Sequence, residues 1–244
     1  MTDLKRHHNL RNAAPEQQHA NWTLRRDQHL FHAGDRLTDA YVVIGGALKS
    51  CINYRNGDCQ ILGFHIPGDI VGYESLINGC SSCSVIALDT SCVRQLGLTR
   101  SDNTHQTLSP IPRTIIESMS GEIQQLRRQL HQERHCKTDA RFAAFLLDYS
   151  HCQAGRGFSR YAFRLPMARR DLAAYLGVAT ETLSRLFTRF RDQGLIRVND
   201  NQLTILNPER LQSISDTSTT SPADSPGSHC QEPMTPHKSL PHST

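Results

Sequence analysis

The chain has 244 residues with a formal net charge of +4, a balance too mild to diagnose a nucleic-acid partner by itself, so the distribution of charge along the chain has to decide. The length suits one large domain or two modest ones, and two are expected. No apolar run approaches the ~18 residues of a membrane helix, and MTDLKRHHNLRNAAPEQQHA lacks the apolar segment of a secretory signal; a cytoplasmic protein without membrane association is expected, its cysteines mostly thiols.

Residues 1–22 are polar, rich in His, Gln and Asn and without periodicity, which predicts an arm. From 23 to 109 the pattern changes to short β-prone runs: HLFHAGDRL, AYVVIGGALKSCINY, CQILGFHI, DIVGYESL and SVIALDTSCVRQLGL, separated by turn signals. Asn56-Gly57 lies between two such runs, and both residues tolerate the positive φ of a tight hairpin turn. A small antiparallel β-barrel or jelly roll is predicted here.

Pro110 and Pro112 end that region, and a helix is predicted within 110–137. Ile116, Met119, Ile123, Leu126 and Leu130 fall at alternating steps of three and four, the spacing that keeps one narrow seam on a partner helix. That predicts dimerisation, with packing of an amphipathic helix on the barrel as the alternative. In TDARFAAFLLDYSHC the stripe of Phe142, Phe145, Leu146 and Tyr149 predicts a core helix, broken by GRGF. The Ser/Thr/Pro-rich stretch 214–244 is too poor in apolar residues to offset ordering entropy and predicts a disordered tail.

Between these lies ARRDLAAYLGVATETLSRLFTRFRDQG. Counted from Arg169, Ala173 is fifth, Gly177 ninth, Leu183 fifteenth and Leu186 eighteenth. Two helices crossing over a tight turn need a small residue where their backbones approach, a residue free to take positive φ, and apolar anchors on the second helix. This is the pattern of a helix-turn-helix, predicted over 169–188 within a winged domain spanning 138–213. The second helix should bury Leu183, Leu186, Phe187 and Phe190 and present Glu181, Ser184, Arg185 and Thr188, with Thr180 as its N-cap. Arg can donate two hydrogen bonds to guanine, and Glu can accept from the cytosine amino group. The plainer reading of Glu181 and Arg185 is an exposed ion pair one helical turn apart. Arginines 169, 170, 185, 189, 191 and 197 outnumber Asp171, Glu181 and Asp192 locally, which suits contact with phosphates. LIRVNDNQLTIL reads as the hairpin of a wing over Asn199, Asp200 and Asn201. Candidate DNA contacts are therefore Glu181, Ser184, Arg185, Thr180, Thr182, Thr188, Arg169 and Arg170.

The order of parts, with FHAGD, GFHIPGDIVG, MSGEI, RFAAFL and TETLSR, resembles the CRP/FNR family of bacterial transcription regulators, nearer its fumarate-and-nitrate-reduction branch than the cyclic AMP receptor protein. The resemblance spans about residues 23–210. It implies an α+β fold: an N-terminal barrel like those that bind cyclic nucleotides, a long dimerisation helix and a C-terminal winged helix-turn-helix. It also implies that Glu181, Ser184 and Arg185 match an E-x-x-S-R base-reading triplet for TTGAT-like inverted repeats in double-stranded DNA, read by a homodimer that contacts RNA polymerase and governs low-oxygen or redox-responsive genes.

Oxygen-sensing members of the branch hold an iron–sulfur cluster on cysteines ahead of the barrel and one within it. Here no cysteine precedes Cys51, and Arg94 aligns with the barrel ligand. Cys80 and Cys83, with Cys92 nearby, are the remaining candidates for a relocated metal, cluster or redox site. Cys51, Cys59, Cys136 and Cys152 are expected to be structural, and Cys230 lies in the tail. Histidines 7, 8, 19, 29 and 32 could supply haem or metal ligands but are expected to be solvated. Cyclic nucleotide is disfavoured, because Tyr73 and Cys83 stand where the family places the ribose-binding glutamate and the phosphate-binding arginine; Glu74 is one position off. The alternatives are a constitutive or small-ligand regulator of the same fold and, from another class, a cupin-like metal enzyme. The second would need an acid and a further histidine close to His65.

Overall fold

The structure is a computed structural model that describes residues 21–54, 59–98 and 112–217. Eight strands build the barrel in two antiparallel sheets. The first, in the order β1-β8-β3-β6, contains β1 (Asn21–Leu24), β3 (Tyr41–Gly45), β6 (Ile70–Val71) and β8 (Ser91–Gln95). The second, in the order β2-β7-β4-β5, contains β2 (His29–Phe31), β4 (Leu48–Asn53), β5 (Cys59–His65) and β7 (Ser84–Ala87). Inward residues of both sheets, among them Leu24, Phe31, Val43, Leu48, Val85 and Val93, form one buried cluster.

Local chemistry sets the breaks between strands. The run AYVVIGGALKSCINY is divided between the two sheets at Gly46, whose φ is 76° and where a Cβ would run into Ser91 and the Thr90 carbonyl. β4 and β5 pair antiparallel, with a bulge between Ser50 and Cys51, up to Asn53 opposite Cys59, as a hairpin requires, while the Asn56-Gly57 turn itself lies outside the described residues. DIVGYESL is not one strand: pairing stops after Val71, and a helical turn α1 (Ser75–Asn78) begins as the Ser75 hydroxyl donates to the Gly72 carbonyl at 2.5 Å. The polar arm is shorter than expected. Asn21 and Trp22 already belong to β1, with Trp22 opposite Val93 and its ring edge-on to Tyr41 at 6.3 Å, and residues 1–20 lie outside the described residues.

The long helix α2 (Arg113–His135) falls within the predicted span and is pinned at its start by Ile115, buried with Ala40, Ile70 and Leu98 of the barrel side. Cys136 and Lys137 take extended backbone angles, which ends α2 and redirects the chain into α3 (Thr138–Gly155). As predicted, Phe142, Phe145, Leu146 and Tyr149 of α3 are core residues. Then follow β9 (Ala162–Arg164), α4 (Arg169–Tyr175), α5 (Thr180–Asp192), β10 (Ile196–Asn199), β11 (Gln202–Ile205) and α6 (Pro208–Ser215). Order extends past the predicted start of the tail at 214: the Asn207 side chain caps α6 by accepting from the Arg210 amide at 2.9 Å, and Leu211 is fully buried. Residues 218–244 lie outside the described residues.

The two regions share a core. Ala47, Ile66 and Leu88 of the barrel pack in the same cluster as Phe142, Leu172, Leu183 and Phe190 of the C-terminal region. Phe64 of β5 lies 6.3 Å from the Phe145 ring and 5.2 Å from that of Tyr175. A buried ion pair joins Lys49 of β4 to Asp171 of α4 at 2.9 Å, and Arg156 pairs with Asp69 across the same junction. Among the described residues no helix is long and apolar enough to cross a membrane.

Candidate nucleic-acid interface

The helix-turn-helix is formed by α4, a turn through Gly177 and α5. Gly177 has a φ of 64°, and a Cβ there would meet only the Arg141 guanidinium at an ordinary 3.7 Å, so its backbone angle rather than space demands glycine. Ala173 is buried beneath the crossing. On α5 the faces separate as the spacing predicts: Leu183, Leu186, Phe187 and Phe190 are buried, while Glu181, Thr182, Ser184, Arg185 and Thr188 are exposed. Thr180 does not cap the helix. Ala179 already holds the extended geometry of an N-cap, so Thr180 is the first helical residue, and its carbonyl accepts the Ser184 hydroxyl at 3.0 Å.

The arginines divide into two groups. Arg169 does not project toward solvent like its neighbour; its guanidinium lies 3.1 Å above the centre of the Phe187 ring, and partial burial lowers its pKa. Arg189 pairs with Asp139 of α3, and Arg191 pairs with Asp192 at 3.1 Å. Arg170 stays highly exposed, with only a 3.8 Å approach to Asp171. Glu181 and Arg185 form no ion pair with each other, nor does either hydrogen-bond elsewhere among the described residues. The ion pair of the plainer reading is not formed: both side chains lie exposed with their hydrogen-bonding groups unengaged among the described residues.

The wing follows directly. β10 and β11 pair from Ile196 opposite Ile205 to Asn199 opposite Gln202, closing over Asp200, whose φ is 52°, and Asn201. β9 completes a three-stranded sheet by pairing with β11, a partnership that three residues of sequence do not announce.

The barrel interior is organised differently. Between its strands and α2 lies a cavity of about 220 Å³ lined by Tyr73, Glu74, Cys83, His65 and Glu122, with no arginine or lysine among its lining residues. A cyclic phosphate placed there would lose water and meet carboxylates, so these residues do not fit a cyclic nucleotide. Nor are the described cysteines gathered as an iron–sulfur cluster or other metal would require. Cys83 is buried, its Sγ donating to Glu74 at 3.6 Å, and burial with the neighbouring Glu74 charge pushes the thiol up to about 12. Cys80 is exposed, and Cys92 lies on β8 in the other sheet, opposite Thr23. Among the described residues no three of His, Cys, Asp and Glu are gathered to hold a metal. Arg94, at the aligned ligand position, donates to the Asn21 side chain at 2.9 Å. His65 hydrogen-bonds Ser50 at 2.9 Å, and burial lowers its pKa. The expectation of structural roles holds for Cys51, which is fully buried, but Cys59 and Cys152 are exposed. His29 and His32 stack on each other at 4.0 Å.

Ile116, Met119, Ile123, Leu126 and Leu130 on α2 are 36% to 58% exposed, an apolar row on an otherwise polar helix. Met119, Ile123 and Leu126 also border the barrel cavity, as expected of a helix packed on the barrel.

Comparison with known proteins agrees with this division. Residues 22–103 match the model of the cyclic nucleotide-binding domain, and residues 140–214 match that of the Crp-like helix-turn-helix domain. The fumarate and nitrate reduction regulatory protein of Yersinia pestis is 36% identical over 188 residues, 77% of this chain and 75% of that protein. Its Escherichia coli K12 counterpart is 35% identical over the same shares, and the anaerobic regulatory protein of Aggregatibacter actinomycetemcomitans is 34% identical over 80% and 76%. Among solved structures, FixK2 from Bradyrhizobium japonicum superposes with a TM-score of 0.68 at 25% identity, over 82% of this chain and 98% of that one. The chain is thus a DNA-binding transcription regulator that belongs to the CRP/FNR family, in its fumarate-and-nitrate-reduction branch.

Proposed function

We propose that the protein is a cytoplasmic homodimer that reads TTGAT-like inverted repeats and governs genes of low-oxygen or redox-altered growth, acting as a regulator rather than an enzyme and contacting RNA polymerase as its relatives' family does. The observation that carries base reading is the pairing of exposure with vacancy of partners at Glu181 and Arg185, near the start of α5. Arg185 can bridge guanine N7 and O6, and Glu181 can accept from cytosine, with Ser184 between them. Thr180, Thr182, Thr188, Arg169 and Arg170 flank the triplet toward the phosphates, Arg169 with its guanidinium over the Phe187 ring. The apolar row from Ile116 to Leu130 supports joining of two copies, which sets two recognition helices about one DNA turn apart.

Sensing is proposed to proceed through the packing of α2 on the barrel, where Met119, Ile123 and Leu126 border the cavity: a signal that favours one packing over another shifts the recognition helices relative to successive grooves. The donor sets of the barrel favour neither the usual cluster nor a cyclic nucleotide as that signal. The test is fluorescence anisotropy of the full-length protein on a duplex carrying a TTGAT-like inverted repeat and on a scrambled duplex. Arg185→Ala is expected to weaken the first by about 1–3 kcal/mol and the second far less. Equal losses on both duplexes would refute direct base reading.

A further inference from the structure

Two cysteines that the sequence separates by a hairpin turn meet on one face of that hairpin. In the antiparallel pairing of β4 and β5, Asn53 stands opposite Cys59, and Cys51, two residues before Asn53, points to the same side. Cys51 and Cys59 are thus a diagonal pair, close enough for their thiols to hydrogen-bond each other. Both are free thiols. Their surroundings differ. Cys51 is fully buried, whereas Cys59 is exposed at the start of its strand. One sulfur of the pair can meet a solute, and the other can meet only its neighbour.

The same face of β4 joins the barrel to the DNA-binding region. Lys49, two residues before Cys51, forms the buried ion pair with Asp171 of α4, and both charges act on the Cys51 thiol. Burial, with Cys59 beside it, pushes that thiol up to about 12, so Cys51 stays protonated while its exposed partner encounters solutes.

We propose that Cys51 and Cys59 form an oxidisable dithiol, closed to a disulfide by peroxide at the junction between the barrel and the helix-turn-helix. The Cys59 thiolate attacks one peroxide oxygen and the O–O bond breaks; Cys59 becomes a sulfenic acid, and the departing hydroxide takes a proton to leave as water. The Cys51 sulfur then bonds to the Cys59 sulfur, and the sulfenic hydroxyl leaves with the Cys51 proton as a second water. Two thiols lose two electrons in all, and one hydrogen peroxide gains them. A diagonal pair separates its Cα atoms by about 7–8 Å, and a disulfide spans about 4.4–6.8 Å. Closing the bond therefore draws Cys51 toward Cys59 and shifts the strand that holds Lys49 against Asp171. The influence on DNA binding rests on the function proposed above; the bond itself does not.

The full-length protein, reduced and freed of reductant, is treated with hydrogen peroxide, alkylated, and digested with trypsin and at aspartate, which puts Cys51 on residues 50–55 and Cys59 on residues 58–68. Mass spectrometry is expected to find these two peptides joined, and dithiothreitol to separate them. Cys51→Ala should leave Cys59 as a sulfenic acid that dimedone traps, a product the parent does not accumulate. Cys59→Ser should leave Cys51 a free thiol after peroxide; its position is exposed, so it serves even if Cys51→Ala does not fold. Affinity for the TTGAT-like duplex should differ about fivefold or more between the reduced and oxidised parent, and peroxide should not change it in Cys59→Ser. Arg185→Ala should lose base discrimination while still forming the bridge, which separates this site from the DNA reading. Both thiols intact after peroxide, Cys59 oxidised with Cys51 still free, or Cys59 bridged to another cysteine or to a second copy would each overturn the proposal. A bridge that leaves DNA affinity unchanged would overturn its coupling to the helix-turn-helix.

Discussion

The exposed face of α5 and the interior of the barrel handle polar groups in opposite ways. On α5, Glu181 and Arg185 sit one turn apart without pairing, open to whatever approaches. In the barrel, polar groups answer one another: Ser81 donates to Glu74 at 3.0 Å, Cys83 approaches the same carboxylate, and His65 meets Ser50. The contrast separates a surface whose polar groups are open from a core whose polar groups are satisfied within the fold. Base edges impose fixed demands on a recognition helix, whereas a barrel core needs only to be filled and satisfied.

That contrast can be broken where the two regions join. Removing one member of the buried Lys49–Asp171 pair strands the other charge, so Asp171→Ala is expected to cost about 3–5 kcal/mol in urea denaturation, and the double change Lys49→Met with Asp171→Leu to recover most of it. A small effect of Asp171→Ala would mean that barrel and DNA-binding region are independent. A smaller effect sharpens the DNA-binding side alone. Gly177→Ala forces a side chain into left-handed backbone at a cost of about 1–2 kcal/mol, read as a lower melting temperature, and should weaken DNA binding by misaligning α5. The smallest concerns the barrel side. Thiolate is the reactive form and its fraction rises with pH toward the pKa, so Cys83, pushed up to about 12, should resist iodoacetamide at pH 8 while exposed Cys80 reacts, as followed by peptide mass spectrometry. Rapid labelling of Cys83 in the folded protein would reopen the barrel as a thiol-based sensor.

Much of the architecture was legible beforehand. The strand runs, the long helix, the glycine turn and the two faces of α5 all follow from periodicity and from residues with special backbone freedom, which act locally. Thr180 was misread as a cap because a hydroxyl before an apolar run is the usual signal, and only backbone angles show that the chain is already extended at Ala179. A count of charges cannot register that the Arg169 guanidinium lies over the Phe187 ring. The third strand of the wing, the early start of β1 at Asn21 and the end of α6 at Ser215 likewise depended on partners distant in the chain.

Residue order alone determined the kind of molecule this is: a β-rich region, a long helix and a winged helix-turn-helix, since each rests on spacing along a few turns of chain. Tertiary structure decided which charges are available and which are engaged. Lys49 finds Asp171, Arg156 finds Asp69, and the Arg169 guanidinium settles over the Phe187 ring. The reason is physical: an ionic or hydrogen-bonding side chain acts over a few ångströms in space, and which groups come within that reach is set by packing between elements far apart in sequence.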